Sequence, residues 1–289
     1  MSAPLRVGVI GLGARCVIAE NCHKATIPAE LVGGCDPNPA MRQRATEVLG
    51  DYPWFETLDE LLELGIDCAI VTSPDDTHED ITCALLEAGV AVYLEKPIAI
   101  TIEGSDRVLE TAYRTKTPLY VGHNMRHMAV VRILRQLVQD GLIGEVRAIW
   151  CRHFVGNGGD YYFKDWHADR SRTTGLLLQK AAHDIDVMNW LSDSVPERVV
   201  GMGDLMLYGK LSDRSGQKSD AVMSDWFSFD NWPPASLTGL NPVIDVEAVS
   251  MLMMRQTSGT LISYEQCHFT PDYWRNYTVI GTEGRAENF

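Results

Sequence analysis

No stretch of the 289-residue chain reaches the roughly 18 consecutive apolar residues that a membrane-crossing helix requires. The apolar start, Val7 to Ala14, is interrupted by glycines and preceded only by Arg6, so it reads as a strand rather than a secretory core. Positive charge is also scarce: 25 Lys and Arg stand against 39 Asp and Glu, for a net charge of -14. Such a chain lacks the basic clusters that hold phosphate backbones or anionic bilayers, and neither nucleic acid nor membrane is expected as a partner. Paired cysteines are missing too. The seven cysteines form an odd, scattered set with no CxxC spacing, which excludes a zinc site or a disulfide framework. They read as small buried hydrophobes of a reducing compartment, and the expected location is cytoplasmic. Repeats and low-complexity tracts are absent.

What is present is an ordinary globular composition, 45% hydrophobic and 22% charged. The length favours two domains. Up to about residue 122, short apolar runs (Leu5–Ile10, Leu31–Cys35, Cys68–Thr72, Ala91–Leu94, Leu119–Val121) alternate with amphipathic stretches (Asp59–Leu64, Glu79–Leu86, Glu103–Tyr113). That alternation predicts an α/β doubly wound parallel sheet. The boundary falls near residues 122–126, dividing the chain into 1–123 and 124–289. Beyond it come a helix from about Arg126 to Gln139, a long strand over Val146–Val155 and a second helix over Leu178–Leu191. Val246–Arg255 and Thr260–His268 predict an antiparallel hairpin, with a further strand over Tyr277–Ile280. The second domain is thus read as α+β. Residues 207–243 carry no periodicity and predict a long excursion. A new strand starting after Thr282-Glu283-Gly284 predicts a chain cut short at Phe289.

Gly11-Leu12-Gly13-Ala14-Arg15-Cys16 follows the first strand directly and is expected to open a helix. Its first glycine makes a tight turn and its second lets backbone amides, with Ala14 and Arg15, reach a pyrophosphate. Cys16 stands where the fingerprint has a third glycine. Asp36 ends the next strand, 23 residues after Gly13. There a carboxylate can bond the adenosine ribose hydroxyls and repel a 2′-phosphate, which favours NAD over NADP. The alternative for Asp36 is a helix N-cap, and Arg42 and Arg44 keep NADP open.

Ser73-Pro74-Asp75-Asp76-Thr77-His78 and Glu95-Lys96-Pro97 both follow strand ends, where ligands bind in such sheets. With Gly122-His123-Asn124-Met125-Arg126, Gly141-Leu142-Ile143-Gly144-Glu145-Val146 and Gly175 to Leu191, they make the whole chain resemble the glucose-fructose oxidoreductase, inositol dehydrogenase and MocA (Gfo/Idh/MocA) family. The resemblance implies an NAD(P)-binding Rossmann domain, then a substrate-binding and oligomerising domain with a large, mostly antiparallel open sheet, pairing into a homodimer or homotetramer through that sheet. It assigns Lys96 to the neighbourhood of nicotinamide and substrate hydroxyl, and makes Ser73, Pro74, His78, Glu95 and Asn124 cofactor residues. It also implies an unusual Lys96–Pro97 peptide with cis geometry open, and no metal. Partial burial beside a nicotinamide cation would disfavour the ammonium form of Lys96 and suit it to proton transfer.

Gly175 to Asp186 resembles the family's second signature. His183 takes its histidine position and is suited to accept a hydroxyl proton. Gln179 stands where the family carries an acid; it cannot ionise, and Lys180 beside it supplies a cation. The polar segment Gly156–Gly175 offers aromatic faces next to hydroxyl-matching groups, as a sugar or polyol ring requires. Arg126, Tyr162, Trp166, His167, Gln179, Lys180 and His183 are the candidate substrate contacts. The expected reaction moves a hydride between nicotinamide and a secondary hydroxyl of a sugar, polyol or related cyclic substrate. The alternatives are an NAD-dependent glycosidase acting through transient oxidation and elimination, and a non-catalytic dinucleotide-sensing regulator.

Overall fold

The structure is a computed structural model and describes residues 3–24, 26–156, 160–218, 220–226, 228 and 232–288. Asn157, Gly158 and Gly159 of the polar segment, several residues of the 207–243 excursion, and Phe289 lie outside the described residues. Two compact units emerge: residues 1–122 with 218–226, and residues 123–217 with 227–289.

The first unit is built on six parallel strands in the order β3-β2-β1-β4-β5-β6. They are β1 (Leu5–Ile10), β2 (Ala29–Cys35), β3 (Trp54–Phe55), β4 (Cys68–Val71), β5 (Ala91–Leu94) and β6 (Leu119–Val121). Each core strand is a short apolar run because both faces of the sheet are covered. Helices α1 (Pro39–Leu49), α2 (Leu58–Leu62), α3 (His78–Glu87) and α4 (Ile102–Thr115) make the crossovers. One core gathers Ile10, Leu61, Val71, Leu85, Leu86, Val92 and Leu94; the other gathers Val9, Leu12, Leu31, Met41, Ala45 and Val222. Val222 brings part of the excursion into this unit, where Arg44 pairs with Asp225 at 3.3 Å. Strand order reverses between β1 and β4, the switch point beside which α/β sheets bind ligands.

Three local expectations are corrected. The glycine-rich turn opens a 3₁₀ stretch, Cys16–Lys24, not an α-helix. Its bonds run three residues back, Cys16 N to Gly13 O and Ile18 N to Arg15 O, which winds the backbone tighter. Helix α1, missing from the sequence reading, starts at Pro39 because the Asn38 side chain accepts from Ala40 N, while proline suits the first helical turn. Arg126 lies in a 3₁₀ turn, Asn124–His127, and α5 begins only at Ala129 because Met128 is extended.

The second unit carries a six-stranded sheet in the order β12-β11-β7-β10-β9-β8. Its strands are β7 (Val146–Phe154), β8 (Pro196–Asp204), β9 (Val249–Gln256), β10 (Leu261–Cys267), β11 (Trp274–Gly281) and β12 (Arg285–Glu287). All neighbours are antiparallel except β7 and β10. β8 escaped the sequence reading because it is an edge strand exposed on both faces, without apolar alternation to betray it. Besides α5 (Ala129–Gln139), this unit holds the short helices α6 (Asp160–Phe163) and α7 (Arg170–Thr173), and α8 (Ala182–Ser192). Helices α5 and α8 cover one sheet face through Val131, Leu134, Val187, Met188 and Leu191 against Ile149, Met254, Tyr264 and Val279. The opposite face leaves Trp150, Val200, Met202, Met251, Met253 and Leu261 exposed.

Candidate functional site

In the first unit, Gly11 has φ +85°, and a Cβ there would lie 2.4 Å from Ser73 N, so only glycine fits between the β1 and β4 ends. Thr72 Oγ1 donates to Gly11 O at 2.7 Å and fixes the turn. At Gly13 a Cβ would meet nothing within 4 Å, and among the described residues the Gly13, Ala14 and Arg15 amides donate to no protein acceptor. Amides not engaged by the protein, with open space at Gly13, fit a pyrophosphate. Asp36 is not the helix cap. Its Oδ2 accepts from Leu12 N and its Oδ1 from Asn38 N, each at 2.8 Å, which holds the carboxylate at the β2 end while leaving lone pairs for ribose hydroxyls. Arg42 donates to Asp36 O and Arg44 is held by Ser224 and Asp225, so protein acceptors already engage the two cations that kept NADP open.

Glu95 and Lys96 follow β5 and are buried, and the Lys96–Pro97 peptide is cis. Arg15 bridges the glycine turn to this triplet, its guanidinium 2.7 Å from Glu95 Oε1. His78 is buried with Nδ1 2.7 Å from Pro97 O and Nε2 3.0 Å from Ser73 O. Its contacts are thus to the protein backbone, and it braces the Ser73 turn against the Pro97 turn. Pro74 leads into the following turn, whose Thr77 hydroxyl donates to Ser73 Oγ.

The second unit contains a cavity of about 650 Å³ lined by residues from α8, its approach, β7, β11 and the 123–128 segment. Of the expected substrate contacts, Tyr162, Lys180 and His183 line it, joined by Asn124. Arg126, Trp166, His167 and Gln179 do not. The Arg126 guanidinium is clamped by Asp186, with Nε 2.7 Å from Oδ2, and its other face lies over Trp190. Trp166 and His167 stack on each other, and His167 meets the Tyr162 edge. The turn before α8, Leu177–Ala181, is π-helical. Of the two neighbouring residues on it, Lys180 and not Gln179 lines the cavity. Lys180 Nζ sits 4.5 Å above the Tyr162 ring.

The sequence reading missed His153, Tyr273 and Arg275, which also line the cavity. His153 and Arg275 are directly opposed across β7 and β11. A signal existed: Ile149, Cys151 and His153 share one strand face, and Val279, Tyr277 and Arg275 share the facing phase, so each apolar row ends in a polar residue. Behind them Asp184 is fully buried and accepts from Tyr264 OH at 3.1 Å and from Tyr277 OH. His153 Nδ1 lies 3.2 Å from Asp184 Oδ2, and its Nε2 lies 2.8 Å from Arg275 Nη2. A neutral ring protonated on Nδ1 satisfies both contacts, donating to the carboxylate and accepting from the guanidinium. Consistently, burial, aided by the Arg275 and Lys180 charges, pulls the His153 imidazole down to about 4 despite its bond to Asp184. Burial raises the Asp184 carboxyl, but His153, Arg275 and Tyr277 together outweigh it and hold the group at about 2. Among the described residues, no group of three or more His, Cys, Asp or Glu is arranged to hold a metal.

Residues 5–123 match the family model described as an oxidoreductase family with an NAD-binding Rossmann fold, and residues 131–287 match the GFO/IDH/MocA C-terminal domain. The chain belongs to the GFO/IDH/MocA oxidoreductase family. It is 26% identical over 299 residues to the Bacillus subtilis (strain 168) protein YteT, covering 90% of this chain and 70% of YteT. It is 27% identical over 223 residues to an inositol 2-dehydrogenase of Rhizobium meliloti (strain 1021), covering 76% of this chain and 64% of that enzyme, less than two thirds of its length. In fold it is similar to a scyllo-inositol dehydrogenase of Lactobacillus casei solved with NAD(H) and scyllo-inositol, with a TM-score of 0.76 and 22% identity over 99% of this chain and 76% of that one. The family's NAD-binding Rossmann domain therefore falls in the first unit of the GFO/IDH/MocA chain. No helix of the described residues is long and apolar enough to cross a membrane.

Proposed function

We propose that this GFO/IDH/MocA chain is an NAD-dependent dehydrogenase acting on a secondary hydroxyl of a sugar, polyol or related cyclic substrate. Residues 1–123 bind NAD and residues 124–289 bind substrate. The observation that carries the reading is the cavity in which His183 and Lys180 stand beside Tyr162 and Asn124, since a ring hydroxyl needs a proton acceptor, a charge and an aromatic wall. NAD supplies the hydride acceptor. Lys96 and His183 handle the hydroxyl proton, Gly11, Gly13, Ala14, Arg15 and Asp36 hold the dinucleotide, and Ser73, Pro74, Glu95 and His78 shape its bed. Several related enzymes are named dehydrogenases of inositol or of glucose 6-phosphate, which supports the substrate class. The test is a panel of sugars, polyols and glycosides with NAD and NADP, followed at the reduced-nicotinamide absorbance. Free NADH should accumulate with at least one sugar or polyol. Glycoside cleavage without net NAD reduction would replace this reading with elimination chemistry, and NAD binding without any turnover would make the chain a sensor.

The proposal includes a homodimer or homotetramer paired through the open sheet. Cross-strand register puts Val200 opposite Met253 and Met202 opposite Met251 on one face, with exposure of 53–82% across Trp150, Val200, Met202, Met251 and Met253. An apolar face of that extent on an acidic chain is better covered than wetted. Light scattering should give a dimer or larger, and M202D with M253D should shift the mass to that of one chain. A monomeric parent would remove this part of the proposal. Seven free thiols suit a reducing, cytoplasmic setting, and the net charge of -14 disfavours nucleic acid and membrane surfaces as partners.

A further inference from the structure

The cavity of the second unit is lined, among the described residues, by two cations and no carboxylate. On a chain where acids outnumber bases 39 to 25, that is a local reversal of charge. Lys180 arrives from the π-helical turn, Arg275 from β11. The guanidinium is largely buried and poorly served by its neighbours. Its Nη1 donates to the Met125 thioether at 2.9 Å, its Nη2 to the His153 ring, and its Nε faces Asp184 Oδ1 at 3.4 Å without a hydrogen bond among the described residues. Thioether sulfur is a weak acceptor, so a guanidinium with five donors keeps unspent capacity at the cavity wall. Asp184 and His153 set its orientation from behind, and the Tyr162 and Tyr273 rings line the cavity beside it.

We infer that the substrate of this cavity is a sugar or polyol ring that bears an anionic group, a carboxylate or a phosphate ester, held between Arg275 and Lys180. The inference rests on the dehydrogenase reading for which group of ligands fills the cavity, and it adds the charge that those ligands carry. Arg275 supplies the planar fork that matches two oxygens of a carboxylate or phosphate, and Lys180 a compact charge above the Tyr162 ring. Asp184 acts as a positioning residue, since it reaches the ligand only through His153 and Arg275.

The experiment uses the full chain with three matched probes: glucose, glucuronate and glucose 6-phosphate. Binding is followed by calorimetry, independently of turnover, and kcat/KM with NAD is measured in parallel. At least one anionic probe should bind about 10- to 100-fold more tightly than glucose, the scale of one or two charge-assisted hydrogen bonds. The arm that gains identifies carboxylate or phosphate as the group recognised. In R275K and K180Q the anionic-to-neutral ratio should fall by about tenfold or more, the loss appearing in KM rather than kcat. R275K keeps the charge and removes the fork, so it tests geometry where a neutral replacement could fail to fold. Equal binding of all three probes by the parent chain, or preference for glucose, would overturn the inference. Tight binding of an anionic probe with no turnover of any sugar would leave the inference standing and sink the dehydrogenase reading. Turnover of neutral rings with no affinity for the anionic ones would do the reverse.

Discussion

Lys96→Met should leave NAD affinity within about twofold of the parent while turnover falls by about 10²- to 10⁴-fold, the usual contribution of one general acid–base group. Methionine keeps the length and much of the volume of the lysine stem and removes the ammonium. The side chain lies at the β5 end in a buried triplet, and none of the dinucleotide contacts assigned to the Gly11 turn or Asp36 depends on it. Loss of NAD affinity in step with turnover would mean that Lys96 only holds the cofactor. Unimpaired turnover would remove Lys96 from the mechanism altogether. Titrating NAD by fluorescence and measuring kcat under saturating NAD separates these outcomes, and an unchanged melting temperature excludes a folding defect.

The residues that carry this prediction were legible because the chemistry and the backbone demand coincide there. Gly11 must be glycine for a steric reason, Asp36 must end β2 to reach the turn, and Glu95-Lys96-Pro97 follows a strand whose apolar run announces itself. The second unit was less legible. Its cavity is assembled by register between β7 and β11, segments separated by 122 residues where His153 meets Arg275, and pairing at that distance leaves no local pattern. Gln179 and Lys180 were both expected at the substrate, and of the two only Lys180, on the π turn over Leu177–Ala181, lines the cavity. Arg126 shows the opposite failure: a cation beside a family-like motif is engaged by Asp186, a partner 60 positions away.

The largest stability effect should come from Asp184→Asn. The parent carboxylate is fully buried among His153, Arg275, Tyr264 and Tyr277, and its charge offsets that of the guanidinium. Asparagine has nearly the same shape but offers one acceptor oxygen and no charge. It therefore leaves Arg275 as an uncompensated buried cation, which costs about 3–5 kcal/mol in such settings. Urea denaturation at pH 7.5 should report a loss of that size, and a change within about 0.5 kcal/mol would show that Arg275 does not depend on this carboxylate. The parent's pH response follows from the same cluster. His153 titrates near 6.5 when unfolded but at about 4 when folded, so between these values the unfolded chain binds more protons. Stability contributed by the neutral ring is thus complete above about pH 6.5 and declines as pH falls toward 4, by about 3 kcal/mol in all. Buried His268, pushed well below its usual value first by burial and then by the proximity of His153, Lys180 and His167, acts in the same direction. The Asp184 carboxyl adds a second loss only as pH drops from about 4 through about 2, because its folded value is the lower one. Replacing His153 with glutamine keeps a polar, non-titrating side chain on β7 and should flatten the slope between pH 6.5 and 4. An undiminished slope in that variant would assign the acid sensitivity to groups outside the Asp184 cluster.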